Sequence, residues 1–386
     1  MTLTYSACSE RANGHLAGFE ARFDSPKMPR TWFLVGCIAY SVWCCSGKGA
    51  LPKGTNDAAA PVGHEGGASS TDAGSSVYAD ASAEAQLDAA AVIMRPVSNA
   101  RSGLAWASGA YNMHDDANRI AFETSRSRLS DVVVVFATRD SWVLLGNTWY
   151  LDAHAAFPGK LVITYPMLPD NEGDLASAAT GAYDQHWRDI AQAVLNGNRG
   201  DSVIRLAWEF NLPGRSVCSS DVVETWKSAW RNARNAMHAV APDLKFDWNV
   251  NAGVSQGGAP ASAQDCYPGD DVVDIVGVDS YDWYPRVTDE ASWATHVGLV
   301  NGLDEMLAFA VAHGKWLSLP EWGVYPGSPD GGDDPLYIEK RYQWYQANAA
   351  HIAYEAYFNE SAAYYAGSIV PVVGAPNSAA RYKELW

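Results

Sequence analysis

A chain of 386 residues with 48% hydrophobic and 18% charged residues has the composition of a globular protein. Its net charge of −17 opposes binding to nucleic acid or to anionic membrane surfaces, both of which require basic patches. The 16 Trp and 19 Tyr suit a packed core, and aromatic rings also stack on the flat faces of sugars.

The N-terminal part reads as an address. After a polar stretch, Lys27 and Arg30 precede an apolar run from Thr31 to Cys45. As a helix this run would reach only about 23 Å, short of the ~30 Å hydrocarbon core, so a signal segment fits better than a membrane span. Starting at Met28, the MPR sequence would supply a compact positive n-region. Leu34-Val35-Gly36-Cys37 resembles a bacterial lipobox, which would place a lipid anchor at Cys37; a plain cleaved signal is the alternative. Residues 46–92 are rich in Ala, Gly, Ser and Asp and bury too little apolar surface to offset chain entropy, so a disordered linker is expected. The expected organisation is therefore a targeting segment over 1–45, a linker over 46–92 and a folded domain over 93–386, secreted or held at the cell surface. Of six cysteines, only Cys218 and Cys266 fall in the folded part, each in a polar loop. An exported protein permits their pairing as a disulfide, with two free thiols as the other outcome.

In the folded part, β-branched runs alternate with helical periodicities. Strands are expected at Gly103–Ala107, Asp131–Phe136, Leu161–Tyr165, Val203–Trp208, Leu244–Asn249, Val273–Val278, Trp316–Leu319 and Tyr354–Tyr357. Helices include Tyr183–Leu195, Val222–Ala241 and Gly302–Ala312. This alternation predicts an α/β fold, a (β/α)8 TIM barrel; no Gly-rich phosphate loop supports a doubly wound sheet instead.

Barrel chemistry gathers at the C-terminal ends of strands. The fourth strand runs into Glu209 and the seventh into Glu321, each flanked by Trp. Partial desolvation would raise the pKa of one carboxyl for use as a general acid, while hydrogen bonds keep the other ionised for attack. Alternation places Arg205 and Glu209 on one face of the fourth strand, with Asp247 on the fifth as a partner for Arg205. Asn211 would bond a sugar hydroxyl, Tyr281 would donate to the nucleophile, and Asn249 and Asn251 share a face that reaches towards the site. The expected substrate-binding set is Asn211, Arg205, Trp208, Trp248, Asn249, Tyr281, Trp283 and Trp322, with Trp106 and Trp142 as weaker sugar platforms. His114, His154 and His186 lack metal-ligand spacing and read as solvated or satisfied in the core. No zinc, haem or nucleotide motif is present, so neither metal nor cofactor is expected.

At IRLAWEFN, FDWNVN, VDIVGVDSYDWYP, LSLPEWGV and the tail GGDDPLYIEKRYQWYQAN, the chain resembles the family 26 glycoside hydrolases over most of residues 100–386. The resemblance implies a retaining mechanism on a β-linked polysaccharide, commonly mannan, with xylan and mixed-linkage glucan as alternatives. It also implies Glu209 as acid/base, Glu321 as nucleophile and Tyr281 beside the nucleophile. Two departures bear on the sugar: Trp208 stands where mannanases of the family carry His, and Asn211-Leu-Pro-Gly-Arg215 replaces a tryptophan-rich stretch. A monomeric hydrolase is the reading, with a transglycosylase and a catalytically idle glycan-binding protein as rivals.

Overall fold

The computed structural model describes residues 94–386 apart from 112, 113 and 215. The targeting segment, Cys37 and the whole linker lie outside the described residues. In chain order come β1 (Ala107–Tyr111), α1 (Asp116–Arg126), β2 (Val132–Phe136), α2 (Trp142–Leu145), α3 (Trp149–Ala153) and β3 (Lys160–Tyr165). Then follow α4 (Leu175–Ala179), α5 (Asp184–Asn196), β4 (Val203–Leu206), α6 (Val223–Val240), β5 (Lys245–Asn251) and β6 (Ile275–Asp282). The last elements are α7 (Glu290–Val297), α8 (Leu303–Ala312), β7 (Trp316–Val324), α9 (Pro335–Asn348), β8 (Ile352–Phe358) and α10 (Pro376–Leu385). The eight strands form a closed parallel barrel in sequence order, β8 pairing with β1, so the (β/α)8 expectation holds.

Helical periodicity decides what faces the sheet. On α6, Trp226, Ala229, Trp230, Ala233, Ala236 and Met237 recur every three to four residues and are all buried. They belong to the layer between helices and barrel, while Val97, Val132, Val134, Val162, Val203 and Ile275 belong to a separate apolar cluster with Ala107, Tyr354 and Ala356. The first strand lies later than expected. Its first four residues, ASGA, are small, whereas the apolar Leu104 and Trp106 pack into the outer core instead.

Two strands depart from simple alternation where it matters. β4 stops at Leu206, and Ala207 and Glu209 both adopt left-handed backbone, at φ +56° and +51°. Such conformations are costly for side-chain-bearing residues and cluster at functional sites. The Ala207 N–H donates to the Tyr165 carbonyl at 2.8 Å and the Glu209 N–H to the Asn249 carbonyl at 3.0 Å, which holds this coil against both neighbouring strands. In β7 the register slips between Leu319 and Trp322, around Pro320, which has no N–H to give the ladder. The slip turns Glu321 to the Arg205 side and Trp322 towards the helices.

Candidate active site

The polar interior builds up in steps. β5 sends Asp247, Asn249 and Asn251 to one side by alternation. Asp247 accepts from the Ser318 and Tyr354 hydroxyls, each at 2.6 Å. Burial pushes its carboxyl up to about 6, against these donors. A Cβ on Gly277 would come within 2.4 Å of Asp247 Oδ1 and 2.9 Å of Asn249 Nδ2, so only glycine leaves room for this packing. The expectation that Asp247 pairs with Arg205 is corrected: the two are register partners on β4 and β5, but the arginine turns elsewhere.

Arg205 is fully buried and donates through Nη1 to Glu321 Oε1 at 2.5 Å, and through Nη2 to Asn249 Oδ1 at 2.9 Å and to Asp279 Oδ2. Burial opposes its charge, yet Asp279, Glu321 and Glu209 together raise its pKa. It holds the carboxylates and has no surface to offer a sugar. Asp279, unassigned at the sequence level, accepts also from Asn249 Nδ2 at 3.1 Å. Burial raises its carboxyl well above the ordinary range, with Arg205 opposing.

Glu321 is 6% exposed, and the Tyr281 hydroxyl donates to its Oε2 at 2.5 Å. Its two oxygens therefore take different donors, one guanidinium and one phenol. Glu209 accepts at Oε1 from Asn251 Nδ2 at 2.7 Å. Burial first, and then the like charge of Glu321, push the Glu209 carboxyl up to about 7, opposed by Arg205 and by hydrogen bonds with Asn251 and Asp279. One oxygen each of Glu209, Asp279 and Glu321 lie within 4.8 Å of one another, the only grouping among the described residues able to hold a cation. The Arg205 guanidinium already serves as its counter-charge.

The rim is aromatic. Tyr111, Phe136 and Phe358 each end a strand. Tyr111 stacks on Phe358 at 4.5 Å and meets Phe136 edge-on at 5.1 Å. Phe136 in turn meets Trp208 at 5.4 Å, and the Arg205 guanidinium lies 5.7 Å from its ring. These three residues were missed from sequence, although the strand-end rule that selected the glutamates also covers them. Across the site, Trp283 is 41% exposed and meets Tyr325 at 5.4 Å.

Several expected sugar contacts are corrected. Trp248 and Trp322 are fully buried, because both point outward from the barrel. Trp248 packs on Phe210 at 4.9 Å, and Trp322 packs on Trp386 at 5.1 Å and donates to Glu355. Trp106 and Trp142 are likewise core residues. Asn249 is buried among Arg205, Asp279 and the Glu209 N–H, and Asn211 is 1% exposed and bonded to the main chain of Asn251. Trp208, Tyr281 and Trp283 keep accessible surface. His114 and His186 are exposed; His154 is buried with neither ring nitrogen bonded, and burial lowers its pKa to about 4. Cys218 and Cys266 form the expected disulfide.

A closed parallel barrel with paired carboxylates at the C-terminal ends of β4 and β7 has the architecture of a barrel glycosidase. No protein-family model and no curated protein matches the chain. Solved structures do. A GH26 beta-mannanase from Bacteroides ovatus is similar at 14% identity and TM-score 0.51, over 76% of this chain and 91% of that one. The catalytic domain of a GH26 endo-beta-1,4-mannanase from Bacillus sp. JAMB-750 is similar at 14% identity and TM-score 0.53, with the same coverage. A Cellulomonas fimi endo-beta-1,4-mannanase double mutant is similar at 16% identity and TM-score 0.54, over 76% of this chain and 73% of that one. The chain has the fold of the family 26 glycoside hydrolases.

Proposed function

We propose that this protein is an exported retaining glycoside hydrolase acting on a β-linked polysaccharide. Glu321 attacks the anomeric carbon while Glu209 protonates the leaving oxygen; Glu209 then takes a proton from water, which releases the sugar from Glu321. The observation that carries the reading is the carboxylate spacing. One oxygen of Glu209 and one of Glu321 lie within 4.8 Å of each other, close enough for the two carboxyls to serve one glycosidic bond, as the paired carboxylates of a glycosidase must.

The electrostatics divide the roles. Glu321 has two strong donors, Arg205 and Tyr281, suited to a carboxylate that must stay ionised. Glu209, with a pKa of about 7, can give and regain a proton near neutrality. The similar structures are named as mannanases, but Trp208 beside the acid/base argues for a different sugar at that position. The test is sugar release from mannans, xylans, β-glucans and bacterial exopolysaccharides by wild type and Glu321→Ala, with and without azide. Loss of activity in the variant and its return as an inverted glycosyl azide is the expected result. Activity that survives the substitution would sink the mechanism.

A further inference from the structure

The two oxygens of Glu209 are not equivalent. Oε1 accepts the Asn251 amide at 2.7 Å. Asn251 is in turn gripped at its main chain by Asn211, whose Nδ2 donates to the Asn251 carbonyl at 2.8 Å and whose Oδ1 accepts from the Asn251 N–H at 2.8 Å. The Asn211 side chain thus extends the pairing of β5 on its β4 edge, beyond the last register pair of Arg205 with Asp247. It also ties β5 to the coil that carries Glu209, two residues away. An amide NH2 group only donates, and it favours the carbonyl oxygen of a carboxylic acid over its hydroxyl.

We propose that Asn251, held by Asn211, is a positioning residue for the acid/base: its amide occupies Oε1 of Glu209 and reserves Oε2 for the transferable proton. The proposal rests on the reading of Glu209 as acid/base. The groups around that carboxyl are Arg205 from β4, Asn251 from β5, Asp279 from β6 and Glu321 from β7. Asp279 hydrogen-bonds Glu209 as well, but it can itself gain or lose a proton; among these groups Asn251 alone is neither charged nor titratable, and so it steers the proton without changing its own state. The bond also favours the ionised form, and its loss lets burial and Glu321 act with less opposition.

The test is a titration of Glu209 by NMR on protein carrying 13C-labelled glutamate carboxyls, for wild type, Asn251→Ala and Asn211→Ala. Glu209→Gln supplies the assignment. The midpoint should rise by about one pH unit in Asn251→Ala and by less, in the same direction, in Asn211→Ala. Asn211→Ala carries the comparison if Asn251→Ala does not fold. With substrate, the alkaline limb of kcat/KM should move up by the same amount. Aryl glycosides with poor leaving groups should lose more rate than those with good ones, because only the former need the acid. An unchanged or lowered Glu209 midpoint in folded variants, beside normal wild-type hydrolysis, overturns the positioning role alone. A shifted midpoint in a protein whose hydrolysis does not depend on Glu209 overturns the acid/base reading, and the proposal with it.

Discussion

The Tyr281 hydroxyl meets Glu321 Oε2 at 2.5 Å, and this contact affects both halves of a double displacement. In the first half it orients Oε2 of the nucleophile. In the second it stabilises the carboxylate as it leaves the sugar. Tyr281→Phe should lower kcat by roughly 10- to 100-fold, the equivalent of one hydrogen bond to a charged group. Because departure of Glu321 suffers most, the glycosyl-enzyme should accumulate and give a pre-steady-state burst of aglycone. Ring contacts with Phe358 and Tyr365 remain in the variant, so its Tm should stay near that of wild type. Stopped-flow release of a good leaving group decides the matter; a full-rate variant would remove Tyr281 from the mechanism.

Arg205 is the only cation bonded to Glu321 and Asp279 among the described residues. Arg205→Met keeps much of the volume and leaves two buried carboxylates uncompensated, at a cost of about 3–5 kcal/mol near neutral pH. Asp279, already raised by burial with Arg205 opposing, will then bind its proton still more tightly folded than unfolded, so the variant loses stability as pH rises. The Tm gap between variant and wild type should be wider at pH 8 than at pH 5. Equal gaps at both values would mean that Arg205 acts through packing instead.

What the sequence made legible follows from parity, and what it hid follows from breaks in parity. On β5, strict alternation correctly grouped Asp247, Asn249 and Asn251. The same rule, applied to Trp248 between them, places that ring in the outer core. On β7, alternation from Ser318 would have turned Pro320 and Trp322 inward, and the slip around Pro320 brings Glu321 in instead. The left-handed turns at Ala207 and Glu209 have no sequence signal, since neither residue is glycine or asparagine. Choosing the partner of Arg205 needed the third dimension. Asp247 is its register neighbour, but the Ser318 and Tyr354 hydroxyls engage that carboxylate, and Asp279 lies within reach from β6.

The disulfide joins the loop that follows Glu209 to the segment after β5, and the Cys218 N–H donates to the Phe210 carbonyl at 2.9 Å. With the cysteines 48 positions apart in sequence, chain-entropy arguments give about 4 kcal/mol of stabilisation. A Cys218→Ser, Cys266→Ser double variant should melt well below wild type under oxidising conditions. Wild type treated with reductant after mild heating should approach it. Coincident melts of wild type and variant without reductant would show that packing alone holds this loop.

Asp282, at the end of β6, is buried, and its Oδ1 accepts the Val287 N–H at 2.7 Å. Facing it is Asp334, whose two oxygens take Arg286 Nε at 2.6 Å and Nη2 at 2.5 Å. The guanidinium lies where a Cβ on Gly332 would be, 2.3 Å away, which explains a glycine there. Burial, and then the bond with Asp334, push the Asp282 carboxyl up to about 9, with the Val287 N–H and Arg286 opposing. A carboxyl raised in the folded state stabilises fully below its unfolded pKa of about 4, and that contribution is lost as pH rises through about 9. Asp282→Asn keeps the shape and stays neutral throughout, and its amide can donate to Asp334 while its oxygen still accepts from Val287. The variant should therefore gain in Tm over wild type between pH 5 and pH 9, with the larger gain at pH 9. The loop it anchors carries Trp283 and Tyr284 at the surface, so activity at pH 9 should hold longer in the variant as well. A variant that melts below wild type by the same margin at both pH values would show that Asp282 is ionised in the folded protein and pairs with Arg286.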